Sequence, residues 1–259
     1  MTNIEVKVLN PTSVTDGERL CVLAARLTQR NQSIHSMADL LALYDKPYTP
    51  ALVERLCELP HPTLQKFSTI TIAIVGASRR FLAQITRHQN EVKFMSGSLQ
   101  YSDMSQGAGF VTPYNILADA QAYDDYHRYC KRAHAAYVDL IQSGLNHDDA
   151  GYIMPQGMRN ILLISATPYQ WKHMIKQRIC RRNSDETRYV MLLCWKALLE
   201  LNPSMFDDCL PPCSKSTDYN CPEGDMSCGS PLPAGVGPDD IIEVDFPIIK
   251  EHYDVKPLN

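Results

Sequence analysis

The chain reads as one compact α+β unit, residues 1–206, followed by a Pro- and Cys-rich tail, residues 207–259, and three observations point that way. Hydrophobic residues make up 44% of 259 positions, enough to bury a full core in one domain. Up to Asn202-Pro203, stretches of β-branched alternation and stretches of helical periodicity take turns. Beyond about residue 207, Pro, Gly and Asp dominate, so the last stretch looks appended rather than a second domain. There is no internal repeat and no low-complexity tract.

Taken in order, IEVKVL (residues 4–9) alternates and predicts a short strand, and ERLCVLAARLTQ and SMADLLALY then predict helices. HPTLQKFSTITIAIV sets Ser68, Ile70, Ile72 and Ile74 on one side and Phe67, Thr69 and Thr71 on the other. That alternation predicts a strand with one buried face, ended by Gly76. From Ala77 the period changes: Phe81, Ile85 and His88 fall on a helical stripe, with Gln84 in the same seam. A Gly- and Ser-rich loop, SDMSQGAGFVTPYN, leads into QAYDDYHRYCKRAHAAYVDLIQSG, an amphipathic helix closed by Gly144. NILLISA predicts an apolar strand. Thr167-Pro168-Tyr169-Gln170 then supplies an N-cap threonine, a proline at the first helical position and a glutamine where a capping box wants one. The apolar stripe of that helix, Trp171, Met174 and Ile175, runs on to Arg178. SDETRYVMLLCWKALLELNP predicts a further helix, capped by Ser184, with Asp185 and Glu186 in its first turn and Asn202-Pro203 as the stop. DIIEVDFPII, in the tail, reads as a late strand.

A net charge of -4 exerts no general pull on nucleic acid or anionic membrane, so any anion site is local and the expected partners are small molecules. No run approaches the roughly 18 apolar residues of a spanning helix. MTNIEVKVLN lacks a basic-then-apolar leader, and the chain is expected to be cytoplasmic. Five cysteines, Cys21, Cys57, Cys130, Cys180 and Cys194, sit in core-like segments as expected free thiols. Cys209, Cys213, Cys221 and Cys228 crowd the tail without paired C-x-x-C knuckles, so no metal site is assigned; an ordered metal-free tail, a metal and a disulfide stay open.

Glycine-rich phosphate loops, H-E-x-x-H and G-x-S-x-G are all absent. What stands out instead is polarity where periodicity asks for apolar residues. Arg80, Gln84, Arg87 and His88 project from one side of a single helix, and Lys172, His173, Lys176, Gln177, Arg178, Arg181 and Arg182 form a second cationic group. Two such helix ends facing each other make a pocket for a multiply charged anion. A solvated basic face is the bland alternative for Arg80, Lys172, Lys176 and Arg181. For Gln84, His88 and Arg178, each on a core stripe, that alternative is weaker, because a buried cation needs a partner.

RHQNEVKFMSGSLQYS (87–102) resembles the R-H-R, seven residues, S motif of the flavin-dependent thymidylate synthases, with an R-Y or Q-Y pair just after. HPT at 61–63, Gln84, GYIMPQG at 151–157 and QWKHMIKQRICRRNSDETR resemble further segments of that family, and CPEGDMSCG resembles a Cys-rich ending of some members, over roughly residues 55–230. The resemblance implies an α+β fold with a central, mostly antiparallel sheet flanked by helices, a homotetramer with shared active sites, and reductive methylation of dUMP to dTMP using FAD, NADPH and methylenetetrahydrofolate. It implies Arg178 as the catalytic cation and Gln84, Arg87, Ser98, Gln100, Tyr101 and Arg178 as nucleotide ligands. It implies His61, Thr63, Arg87, His88, Gln89, Thr167, His173 and Arg182 on the flavin and folate side. Ser98 has no base placed beside it and is read as a binding group rather than a nucleophile.

The motifs also depart from the family. Gln89 replaces the second arginine of R-H-R, and eight residues rather than seven separate it from Ser98. Gln100 and Gly151 stand where the resemblance implies two phosphate-binding arginines. Losing two charge-assisted bonds removes on the order of 3 kcal/mol unless something replaces them, and Lys93 and Arg159 are the expected replacements. A paralogue acting at C5 of another pyrimidine nucleotide, or transferring a hydroxymethyl group, is the first alternative; a non-catalytic flavin-binding scaffold is the second.

Overall fold

The computed structural model describes residues 4–215, 221–248 and the backbone of 256–257. Its framework is a four-stranded antiparallel sheet in the order β1-β2-β5-β3, formed by β1 (Glu5–Val8), β2 (Ile70–Ser78), β5 (Arg159–Ala166) and β3 (Val92–Ser96). Two short strands, β4 (Gly109–Phe110) and β6 (Lys256–Pro257), pair separately. The helices, in chain order, are α1 (Thr12–Arg30), α2 (Met37–Tyr44), α3 (Pro50–Glu58), α4 (Arg79–Ile85), α5 (Tyr114–Leu117), α6 (Ala120–Gln142), α7 (His147–Gly151), α8 (Pro168–Arg178), α9 (Asp185–Leu201), α10 (Pro203–Phe206) and α11 (Pro238–Asp245). The α+β architecture with an antiparallel sheet agrees with the expectation from the motifs.

Alternation decides which face of the sheet is covered. Ile70, Ile72 and Ile74 on β2 and Leu162, Ile164 and Ala166 on β5 are all buried, with Ile72 opposite Ile164. Against them lie α8, through Trp171, Met174 and Ile175, and α9, whose Val190, Met191, Leu192, Cys194, Trp195 and Leu198 are wholly buried. The two indoles also satisfy their N–H groups: Trp171 Nε1 donates to Ile70 O at 2.9 Å and Trp195 Nε1 to Phe206 O at 2.7 Å. The opposite face stays open, with Met95, Ile161 and Leu163 exposed.

Three local expectations need correction. Gly76 does not end its strand: it sits at φ 95° within β2, where the register shifts between Val75 and Ser78, so the strand bulges and resumes before α4 starts at Arg79. Val92–Ser96, taken above only as part of a polar motif, is a strand, with Phe94 opposite Ile164. In DIIEVDFPII the described segment is helical: Pro238 opens α11, Asp240 accepts the Gly237 N–H at 2.8 Å, and Ile241, Ile242 and Phe246 turn inward while Val244 faces out. Adjacent isoleucines fit either period, and the Gly-Pro-Asp-Asp start favours the helix.

Residues beyond 207 add to the same core. Cys209, Leu210, Leu232, Ile241, Ile242 and Phe246 join the main apolar cluster. Asp245 on α11 pairs with Arg181 and Arg188, and Asp239 with Lys196. Cys21, Cys130, Cys194, Cys209 and Cys213 are buried free thiols, and Cys57, Cys180, Cys221 and Cys228 are half-buried free thiols.

Candidate functional site

The site is built where β2 hands over to α4. Ser78, at that junction, accepts the Phe81 N–H as N-cap and donates its own N–H and O–H to Glu186 on α9, at 2.6 and 2.5 Å. Burial raises the Glu186 pKa, against the Ser78 hydrogen bonds and the charge of Arg80. The strand end, α4 and α9 are thereby tied at one point, and α4 runs from it with fixed orientation.

On α4 the side-chain oxygen Oε1 of Gln84 lies 2.5 Å from Thr187 Oγ1 and 3.1 Å from Ser184 Oγ. Both hydroxyls address the oxygen, so the NH2 end of Gln84 is the one left for a ligand. Ser184 heads α9 as expected but does not cap it with its side chain; the hydroxyl serves Gln84 and Thr187 instead.

Arg178, at the last position of α8, donates Nε to His88 Nε2 at 2.9 Å, Nη2 to Gln84 O at 3.0 Å and Nη1 to Asn183 Oδ1 at 3.3 Å. Its partners come from residues up to 94 positions away in the chain. His88 is 7% exposed, and its ring meets His173 edge-on at 5.9 Å. Burial, then the charges of Arg178 and His173, push the His88 pKa down to about 4, so its ring is a neutral acceptor at physiological pH. Burial also lowers Arg178, with Arg87 adding to the effect.

These groups wall a cavity of about 430 Å³ whose lining includes Arg80, Gln84, Arg87, Arg178 and Arg182, together with Gln156, and no carboxylate among the described residues. Four guanidiniums around such a space suit an anion. Arg182 reaches Glu223 at 2.5 Å and Arg80 reaches Gln156 at 3.3 Å. Not all of the second cationic group is a solvated face: Lys172 is buried, Arg181 is taken by Asp245 and Ser230, and Lys176 lies 3.5 Å from Asp208.

Ser98 and Gln100 line a second cavity, of about 530 Å³, with Arg79, Ser96, Gly97 and Asp148. Ser98 Oγ accepts the Gln100 N–H at 3.2 Å. Lys93 does not line that cavity and is exposed on β3, and Arg159 lies in an adjoining space that it shares with Arg79. Gly151 is buried, with Leu99 Cβ 3.5 Å from where its own Cβ would stand.

His173 lines a third cavity, of about 680 Å³, with Pro60, Pro62, Cys57 and Lys172. His61, the residue ahead of the short turn Pro62–Gln65, and Thr63 are exposed beside it. Thr167 is the N-cap of α8, its oxygen accepting the Gln170 N–H at 3.3 Å, and its hydroxyl lies 3.5 Å from Glu91. Gln89 and Tyr101 are exposed. Glu91, at φ 56°, turns the chain within the lengthened stretch between Gln89 and Ser98.

Gln84, Arg87, His88, Arg178 and Arg182 are thus gathered, while Ser98 and Gln100 stand in another cavity and His61, Thr63 and His173 in or beside a third. Sequence reasoning missed Gln156, Asn183 and Thr187 as site residues. Asn183 and Thr187 flank the α8–α9 turn that the Ser184 cap already marked. Among the described residues no group of three or more His, Cys, Asp or Glu side chains is arranged to hold a metal. Burial, then the neighbouring thiols of Cys180, Cys221 and Cys228, raises the Cys213 pKa.

Residues 8–204 match the family described as thymidylate synthase complementing protein. The flavin-dependent thymidylate synthase of Geobacter sulfurreducens is 25% identical over 216 residues, covering 83% of this chain and 90% of that protein. The enzyme of the same name from Pyrococcus abyssi is 26% identical over 154 residues, covering 58% of this chain and 62% of that one. Among solved structures, the UMP/dUMP methylase PolB of Streptomyces cacaoi, bound with 5-Br dUMP, shares the fold at a TM-score of 0.61 and 15% identity, over 80% of this chain and 94% of that one.

Proposed function

The chain belongs to the flavin-dependent thymidylate synthase family, matched over residues 8–204, and on that premise we propose that it methylates dUMP to dTMP at C5 of the pyrimidine, with FAD, methylenetetrahydrofolate and NADPH. The observation that carries the reading is the hydrogen-bonded cluster of Gln84, His88 and Arg178 at a cavity walled by four arginines and, among the described residues, no carboxylate. A flavin dinucleotide brings a diphosphate and a planar ring, and cationic walls beside the His88–His173 pair fit both. When bound, the flavin supplies the hydride chemistry, and the protein needs no cysteine nucleophile.

The chain's own residues bind, orient and polarise. Arg178 holds a permanent positive charge where a uracil carbonyl would sit and so stabilises the deprotonated, enolate-like form of the base, whose extra electron density makes C5 nucleophilic. Neutral His88 and the Gln84 carbonyl fix that guanidinium in place, so no reorganisation is needed as charge develops. Gln84 offers its NH2 group to the base. Ser98, Gln100 and Tyr101 complete the nucleotide side; Arg87, His88, Gln89, Thr167, His173 and Arg182 hold the flavin, and His61 and Thr63 border the folate. Gln84, Arg87, Arg178 and Arg182 line one cavity, Ser98 and Gln100 a second and His173 a third, and this separation within one chain supports a homotetramer whose sites draw on several subunits. The open sheet face with Met95, Ile161 and Leu163 offers a surface for it.

A second reading, another pyrimidine nucleotide as substrate, rests on the side-chain-free position at Gly151 and on Gln100. One substrate panel separates the two. The purified protein is checked for flavin absorbance, then given NADPH and methylenetetrahydrofolate with dUMP, UMP or dCMP, and the product is weighed by mass spectrometry. A methyl gain on dUMP is the expected result. Turnover only on UMP or dCMP, or a hydroxymethyl product, selects the second reading, and a protein that takes up no flavin defeats both.

A further inference from the structure

We propose that Arg79 is the guanidinium that holds the 5′-phosphate of the nucleotide, an assignment that rests on the function proposed above. Arg79 and Arg80 are consecutive at the head of α4, yet they wall different cavities: Arg80 the arginine-lined one, Arg79 the one containing Ser98. Among the described residues Arg79 is the sole cation in the lining of that second cavity. Its guanidinium is half-buried and makes one hydrogen bond, to Gly97 O at 3.3 Å, with no carboxylate paired to it among the described residues.

A half-buried cation without a counter-charge is an unbalanced cost, and burial is the cause that lowers its pKa. A phosphomonoester dianion removes the imbalance, because its oxygens match the planar fork of arginine. The surroundings suit that anion. Ser98 Oγ accepts from the Gln100 N–H and so keeps its own proton to donate outward, and Ser96 adds a hydroxyl. Gly151, beside Leu99, contributes no charge, so charge recognition in that lining falls to Arg79. Asp148 is the one acidic group in the lining; it is exposed on α7 and opposes the anion from the rim.

The test compares a nucleotide with its nucleoside on the flavin-loaded full-length protein. Dissociation constants for dUMP and deoxyuridine are measured by calorimetry for the unaltered protein, Arg79→Ala, Arg79→Lys and Asp148→Asn, with flavin absorbance and thermal midpoint as folding controls. Arg79→Ala is expected to weaken dUMP at least tenfold with deoxyuridine unchanged, Arg79→Lys to recover part of the loss, and Asp148→Asn to tighten dUMP. Equal weakening of dUMP and deoxyuridine would show that Arg79 merely props the Gly97 loop, and would overturn the assignment, as would undiminished dUMP binding. If the unaltered protein prefers UMP or dCMP, the same ratio is read with that nucleotide and its nucleoside. Failure to bind any of the three overturns the proposed function together with this assignment, whereas normal binding that ignores Arg79 overturns the assignment alone.

Discussion

Arg178 and His88 show how single residues carry both stability and chemistry. Arg178 ends α8 on its core stripe, whereas α4 stops at Ile85, so Arg87 and His88 lie past its end rather than on the single helix expected from the spacing; His88 is buried all the same, and each is the other's partner at 2.9 Å. Replacing Arg178 with alanine is expected to abolish nucleotide-dependent flavin oxidation while flavin absorbance persists; unaltered turnover would remove Arg178 from the active site. His88 gives a pH signature. Its folded pKa of about 4 lies below the ordinary 6.5, so the unfolded chain binds the proton more readily. The stability tied to neutral His88 is complete above pH 6.5 and is lost as pH falls toward 4. Urea unfolding at pH 7 and pH 4.5 should therefore show a smaller drop for His88→Asn than for the unaltered protein, and an identical drop would refute the assignment. Polarity on a core stripe was legible in the sequence. The identity of the partners was not, since Gln84 and Arg178 are 94 positions apart.

At the scale of elements, the docking of α11 rests on one carboxylate. Asp245 receives Arg181 at 2.7 Å and the buried Arg188, whose guanidinium also lies over the Phe246 ring at 4.8 Å. Burial alone would raise the Asp245 pKa, but the hydrogen bonds from Arg181 and Arg188 outweigh it and the pKa falls. Asp245→Ala leaves the Arg188 cation, 6% exposed, without its main partner and should cost about 3–5 kcal/mol in urea unfolding. A loss under about 1 kcal/mol would mean that Phe246 and Ile241 hold α11 by packing alone. The start signals of α8 and α9 were readable because caps are local: Thr167 caps by its side chain and Ser184 heads its helix. The helix α11 and the strand β3 were not, because DIIEVD fits two periods and VKFMS becomes a strand only by pairing with β5.

For the whole molecule, the open face of the sheet sets the expectation. With Met95, Ile161 and Leu163 exposed together, light scattering on the purified protein should read a tetramer, and Ile161→Glu should shift it to smaller species. A monomeric unaltered protein would refute shared active sites. Local spacing alone determined the alternation of β2 and β5, the helices α8 and α9, and the polar seam of Gln84, His88 and Arg178, because period, caps and charge act over a few residues. Tertiary structure decided which cavity each cation enters: neighbouring Arg79 and Arg80 part company, and Gln100 and Gly151 meet beside Arg79. Such placement depends on contacts between segments far apart in the chain, and neither periodicity nor composition records where those segments meet.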